Sequence, residues 1–173
     1  MMIISGGQSG VDRAALDTAI ARGLPWGGWC PKGGWAEDLP SPPGLLARYP
    51  RLRETPDADP AQRTEWNVRD SDAILIIVMA GGVAVSPGTM AASRHAVCGN
   101  RPVLLADASD PDAVAQAAAW LEAQHDRFGP DLKLGVGGPR ESEAPGIYRT
   151  AFMFLGRVLP AAAASPEPRS RRG

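Results

Sequence analysis

The chain has 173 residues and a net charge of −1, with a sequence pI of about 6.1. This is the size of one ordinary domain, and it excludes a global basic field that would draw the protein onto nucleic acid or an anionic membrane. No run approaches the roughly 18 apolar residues of a spanning helix, and the first residues do not look like an export signal, so we expect a cytoplasmic protein. Two cysteines without a CxxC pattern and two isolated histidines predict no directly bound metal.

Short apolar runs alternate with helix-forming segments along most of the chain. The run Ala73–Met79 is β-branched and apolar on both faces, as in a central strand of a parallel sheet. Other strands are predicted over residues 2–5, 26–30, 102–106 and 132–136. Helices are predicted over residues 10–22, 59–72, 89–98, 110–121 and 146–159. The alternation predicts a Rossmann-like α/β fold with a parallel sheet.

Two segments break this alternation. Residues 31–59 are rich in Pro and Gly and are too long for a simple connection, so we expect a structured excursion that folds over the ligand edge as a lid. Residues 161–173 carry small residues, Pro and Arg without apolar periodicity, and we expect them to be disordered. Residues 1–160 then form a single ligand-binding domain.

The strongest functional signal is the turn between the first strand and the first helix. Its residues are Gly6, Gly7, Gln8, Ser9 and Gly10. Glycines at a helix start let backbone N–H groups approach a phosphate, and Arg13 can pair with the same anion. The turn matches neither GxGxxG nor the Walker A loop. The alternative is a capping box between Ser9 and Asp12, which only closes the helix end.

A second candidate loop follows the long apolar strand. Ser86, Gly88 and Thr89 offer hydroxyl and N–H groups at another helix start, although Pro87 between them has no N–H. Two such loops on parallel strands face each other across a crevice. The alternative is a simple cap of the helix by Ser86 or Thr89.

Two further segments carry polar side chains. Arg140 lies with Glu141 and Ser142 in a turn past the last strand, at the edge where ligands bind, and is a further binding candidate. The helix over residues 59–72 bears Arg63 and Asn67 among other polar residues. We interpret these as a solvated face.

Four blocks of sequence resemble the molybdenum carrier proteins from about Ile3 to Leu159. They are, in order, GGQSGVDRAALDTAIARGLPWGGWCPKG, YPRLRETPDADPAQRTEWNVRDSDAILI, the loop with Gly88 and Thr89, and GPRESEAPGIY. These carriers share a wider superfamily with the LOG-type proteins, once called lysine decarboxylases, which hydrolyse nucleoside 5′-monophosphates. The resemblance implies a Rossmann-like three-layer fold with a mainly parallel sheet of about five to six strands, and usually a homo-oligomer.

For function, the resemblance implies binding of molybdenum cofactor (molybdopterin), a pterin with a terminal phosphate, at the first loop and at Gly88 and Thr89. Molybdoenzymes are then the partners that receive the cofactor. The hydrolases carry PGGxGTxxE, and the position of that glutamate is Ala92 in this chain. The alternatives are a nucleoside 5′-monophosphate phosphoribohydrolase, in which Asp12, Asp72 or Glu141 replaces the missing acid, or a sensor of a nucleotide-derived ligand.

Overall fold

The computed structural model describes residues 1–79 and 86–161. The predicted disorder of the tail therefore falls almost entirely outside the described residues. None of the helices in the described part of the chain has the length and the apolar character to cross a membrane.

The strands of the described residues form one parallel sheet. They are β1 (Met2–Ile4), β2 (Trp26–Cys30), β3 (Leu52–Glu54), β4 (Ala73–Val78), β5 (Val103–Asp107) and β6 (Lys133–Gly137). Their order across the sheet is β3-β2-β1-β6-β4-β5, and every neighbouring pair runs parallel. The expected Rossmann-like α/β fold with a parallel sheet is confirmed, with six strands.

Helices cover both faces of the sheet. They are α1 (Val11–Ala21), α2 (Leu45–Arg48), α3 (Pro60–Arg69), α4 (Pro87–Cys98), α5 (Ala113–Phe128) and α6 (Ile147–Val158). Helix α6 packs against α1 and α5 on one face, and α3 packs against α4 on the other. The result is the three-layer arrangement expected for alternating strands and helices.

Strand β4 shows why the sequence folds this way. All six of its residues are buried. Alternate side chains point to opposite faces, so that Leu75 and Ile77 join the core under α1, α5 and α6, whereas Ile74 and Ile76 join the core under α3 and α4. Burial of each such side chain contributes about 1.5–3 kcal/mol.

The excursion over residues 31–59 is structured, as expected, but it also contributes to the sheet. It contains α2 and then β3, which pairs in parallel with β2 at the edge of the sheet. Leu45, Tyr49 and Leu52 pack with Leu16 of α1 in a separate small core. The apolar residues of this segment therefore anchor it to α1 and β2.

The order of the strands creates a crevice at one edge of the sheet. The chain builds β1, β2 and β3 outward in one direction and then crosses to β4 and β5 on the other side, while β6 inserts between β1 and β4. The helices that follow β1 and β4 lie on opposite faces. Ligands of open α/β sheets bind where the strand order reverses in this way, beyond the carboxyl ends of the strands.

Candidate functional site

A cleft lies at this reversal. Its walls are the ends of β1 and β6, one side of α3 and the first turns of α4. The space between these walls, including the part that is open to solvent, is about 620 Å³. Six of the ten binding residues proposed from the sequence line it, namely Gly6, Gln8, Ser86, Gly88, Thr89 and Arg140.

The first glycine loop contacts both the cleft and the small apolar core. Gly6 faces the cleft, where an added Cβ atom would overlap the guanidinium group of Arg63. Gly7 has a positive φ of 69°, and an added Cβ there would touch Leu52 and Leu16 of the small core. Gly6 therefore leaves room for a charged group in the cleft, whereas Gly7 serves the backbone turn and the packing.

Ser9, Gly10 and Arg13 lie on the other side of this loop, where they line a second hollow. Arg13 donates to both carboxylate oxygens of Asp38 at 2.9 Å and to the backbone oxygen of Gly7, also at 2.9 Å. These contacts hold the excursion against the loop. Because they occupy the guanidinium group of Arg13 with protein groups, the structure does not bring it to the cleft.

The carboxylate of Glu37 lies beside Ser9. It accepts hydrogen bonds from the hydroxyl groups of Ser9 and Ser142 and from the backbone N–H of Ser142. Partial burial opposes ionisation of Glu37, but these hydrogen bonds hold its pKa below the ordinary value. A carboxylate of the protein itself therefore sits beside the start of α1. The capping box does not form, because the cap of α1 is Gly10 and no side chain bonds to it.

An ion pair between α3 and α1 crosses the cleft wall. Nη1 of Arg63 lies 2.7 Å from Oδ2 of Asp12, and the side chains are only 13% and 8% exposed. Burial raises the pKa of Asp12 above its ordinary value, although Arg63 and the backbone of Gln8 oppose this shift. The pair fixes the position of a guanidinium group directly over Gly6.

The second loop also lines the cleft. Oγ of Ser86 caps α4 by accepting the N–H of Thr89 at 3.2 Å, so the expected cap exists. The hydroxyl group of Thr89 is buried and has no hydrogen-bond partner among the described residues. Buried hydroxyl groups are rarely left without a partner, and Thr89 is one of the residues that line the cleft.

Arg140 supplies a second cation. It is half-buried in the cleft wall, its guanidinium carbon lies 5.7 Å from the centre of the Trp35 ring, and its backbone N–H donates to Glu143 at 2.9 Å. Trp35 of the excursion thus contacts a residue of the cleft wall, but none of the described residues 31–59 lines the cleft itself, so the lid stays a prediction. The position of Arg140 relative to a ligand stays a prediction.

The floor of the cleft between α3 and α4 is apolar. It is formed by Val68 of α3, by Ile74 and Ile76 of β4, and by Ala92 of α4. These side chains belong to or pack against the core under α3 and α4. A flat ring can lie on such a floor while polar groups at the rim contact its substituents.

Comparison with known proteins agrees with this architecture. The sequence model of the circularly permutated YpsA SLOG family matches residues 3–159. The chain belongs to this family. A crystal structure of a protein named putative molybdenum carrier protein, from Syntrophus aciditrophicus SB, is 37% identical and superimposes with a TM-score of 0.79. The match covers 91% of this chain and 94% of that chain. No curated protein matches the chain.

The resemblance to the carrier group that the sequence blocks indicated is thereby confirmed. In this member of the YpsA SLOG family, the three acids considered as substitutes for the missing glutamate are all engaged by protein groups. Asp12 pairs with Arg63, Asp72 accepts the N–H of Lys133 at 2.8 Å, and Glu141 accepts the N–H of Tyr148 at 3.0 Å. Of the three, Asp12 alone lines the cleft.

Residues of α3 were misinterpreted from the sequence. Arg63, Thr64 and Asn67 do not form a solvated face: all three line the cleft, and Asn67 exchanges two hydrogen bonds with the backbone of Trp29. The signal was present, because these positions and Val68 fall on one stripe of the helix, whereas Glu65 and Arg69 lie on the exposed side. A polar stripe that includes a valine indicates a buried polar surface.

Proposed function

We propose that this protein binds a phosphorylated heterocyclic small molecule in the cleft and acts as a carrier of molybdenum cofactor. The phosphate lies at the start of α4 and the ring lies on the apolar floor. Membership of the YpsA SLOG family and the similarity to a protein named as a molybdenum carrier support the carrier role. Under this proposal the protein is a cytoplasmic homo-oligomer that delivers its cargo to molybdoenzymes.

The observation that carries the proposal is the hydroxyl group of Thr89, which has no hydrogen-bond partner within residues 1–79 and 86–161. A buried hydroxyl without a partner costs about 1–3 kcal/mol, and the described part of the chain leaves one in this state on Thr89, a residue that lines the cleft at a helix start. A phosphate oxygen is an acceptor that fits both this hydroxyl and the N–H of Gly88. The ligand then supplies a hydrogen bond that the described residues do not provide.

Charge in the cleft supports the same ligand class. Arg63 and Arg140 both line it, and Asp12 is the one carboxylate among the lining residues of the described chain. Asp12 is itself bonded to Arg63, so it orients one guanidinium group and leaves the remaining N–H groups of Arg63 for a ligand. The balance of charge favours an anion.

The residues present fit a cofactor that brings its own metal ligands. No group of three or more His, Cys, Asp or Glu side chains converges within residues 1–79 and 86–161. When it is the cargo, molybdenum cofactor holds its metal through its own sulfur atoms, and the chain's part is to bind the phosphate and to cover the ring.

The identity of the ligand is tested by denaturing the purified protein and analysing the released small molecules by mass spectrometry. Recovery of a pterin phosphate, or of its oxidation product, supports the carrier role. Recovery of a nucleotide without any pterin refutes that role. Parallel incubation with nucleoside 5′-monophosphates tests for base release, which we do not expect because Ala92 stands where the hydrolases have their glutamate.

A further inference from the structure

Several polar side chains that line the cleft use an oxygen acceptor within the protein. Oδ2 of Asp12 accepts from Arg63, Oδ1 of Asn67 accepts from the backbone of Trp29, and Oγ of Ser86 accepts from Thr89. Each acceptor is held by a group of the fold. At these three side chains, the oxygen atoms named are therefore already bonded within the fold.

Gln8 is the most informative of these residues. Its Oε1 atom lies 3.0 Å from the backbone nitrogen of Ser9 and 3.0 Å from that of Glu37. A backbone N–H can only donate, so the atom between these two groups must be the oxygen of the amide and not its nitrogen. The orientation of the Gln8 amide is therefore fixed by two independent donors.

The consequence is a donor of fixed direction. Gln8 is 4% exposed and lines the cleft, and its oxygen is turned to the two backbone groups. The amide nitrogen carries the polar hydrogens that remain. Asp12 beside it already accepts from Arg63 and from the backbone of Gln8, so it does not offset this donor character.

We infer that Gln8 is a specificity-determining residue, whose side-chain N–H donates to a carbonyl oxygen or ring nitrogen at the edge of the bound heterocycle. The inference rests on the proposed function and adds the chemistry of the ring edge to it. If the ring presents an amino group at this position, that group and the side-chain N–H of Gln8 are both donors and cannot bond to each other. Such a mismatch leaves both groups unpaired, which is a strong basis for discrimination.

The test uses two pairs of phosphorylated probes that exchange an amino group for a carbonyl oxygen. The first pair is adenosine and inosine 5′-monophosphate, and the second is the monophosphates of 6-hydroxymethylpterin and 6-hydroxymethyllumazine. Their affinities are measured by calorimetric titration for the wild-type protein and for Gln8→Glu. At pH 8.5, far above the ordinary glutamate pKa of about 4.3, the new carboxylate still accepts from Ser9 and Glu37 but offers an acceptor in place of the donor.

We expect Gln8→Glu to reverse the wild-type preference within at least one pair, with the ratio of dissociation constants changing by about tenfold or more. Gln116→Glu, which adds the same charge at an exposed position of α5, leaves the ratios unchanged. In the wild-type protein, the side-chain ¹⁵N–¹H₂ signals of Gln8 shift when the bound probe saturates the protein. This second measurement does not depend on the folding of the variant.

The outcomes separate the two proposals. If the probes bind, but Gln8→Glu keeps the wild-type ratios and the Gln8 amide signals do not move, the role of Gln8 is wrong and the proposed function stands. If no probe binds the wild-type protein, the proposed function fails and the role of Gln8 fails with it.

Discussion

Replacement of Thr89 by valine tests the proposed ligand site with two effects of opposite sign. The Thr89 side chain is buried, its hydroxyl has no partner within the described residues, and valine has nearly the same shape. Removal of an unsatisfied buried hydroxyl group relieves part of a penalty of about 1–3 kcal/mol. We expect the ligand-free variant to be more stable by about 1 kcal/mol, which raises Tm by about 2–4 °C for a domain of this size.

Binding changes in the other direction. If the hydroxyl group of Thr89 donates to a phosphate oxygen, its loss removes a hydrogen bond to a charged group, worth about 1.5–3 kcal/mol. The dissociation constant then rises by about ten- to a hundredfold. Scanning calorimetry of the ligand-free protein measures the first effect, and titration with the ligand recovered from the protein measures the second.

The chain contains a matched control. The hydroxyl group of Thr18 on α1 is also buried and has no partner in the described part of the chain, but Thr18 does not line the cleft. Thr18→Val is expected to raise Tm similarly and to leave the affinity unchanged. A fall in Tm of several degrees for Thr89→Val would show that its hydroxyl group is bonded in the folded protein. If both variants bind the ligand with the affinity of the wild type, the phosphate does not bind at the start of α4.

Three further predictions concern the charged groups. Asp12→Asn leaves Arg63 without its carboxylate, so we expect a loss of about 3 kcal/mol in the free energy of unfolding, measured with urea; a loss below about 0.5 kcal/mol would contradict a buried pair. Ala92→Glu places a carboxylate on the apolar floor one turn from Thr89, and titration is expected to show at least tenfold weaker binding of the recovered ligand; unchanged binding would place the ligand elsewhere. The Arg13 hydrogen bonds hold the pKa of Asp38 below its ordinary value of 3.8, so this pair stabilises the fold above that pH, and the stabilisation is lost as the pH falls through the lowered pKa. In Arg13→Gln we therefore expect a flatter acid limb of stability against pH than in the wild type, and identical limbs would show that the pair contributes nothing.

The fold could be read from the sequence because its central strands carry a clear pattern. Ala73–Val78 is apolar on both faces, as is typical of a central strand of a parallel sheet. Strand β3 was missed because it has three residues, Leu52–Glu54, of which two are exposed charged residues. Its position depends on the pairing with β2 and on Leu52, which packs with Leu16 of α1, a residue distant in sequence. Such contacts leave no periodicity to detect.

The candidate site could be located from the sequence, but the roles of its side chains could not. The glycine loop and the Ser-Pro-Gly-Thr loop both reach one cleft, as their places after parallel strands indicated. Arg13 was favoured for the anion because it follows the glycines directly, yet Asp38 from the excursion takes its guanidinium group. Arg63 was assigned to solvent and lies in the cleft. The roles of these two arginines depend on the carboxylates with which they pair, and those carboxylates are distant in sequence.

The groups around the starts of α1 and α4 also determine where an anion can bind. At α1 the positive end of the helix has Glu37 beside it, held by Ser9, so an incoming phosphate there meets a carboxylate. At α4 no acidic residue lies in the first turn, but Pro87 lacks an N–H and Ser86 already accepts the N–H of Thr89. The backbone at α4 thus offers few donors, so under the proposed function we expect the attraction for a phosphate to come largely from Arg63 and Arg140. Since Arg63 is held in place by Asp12, the ion pair that stabilises the fold also sets the charge that the ligand meets.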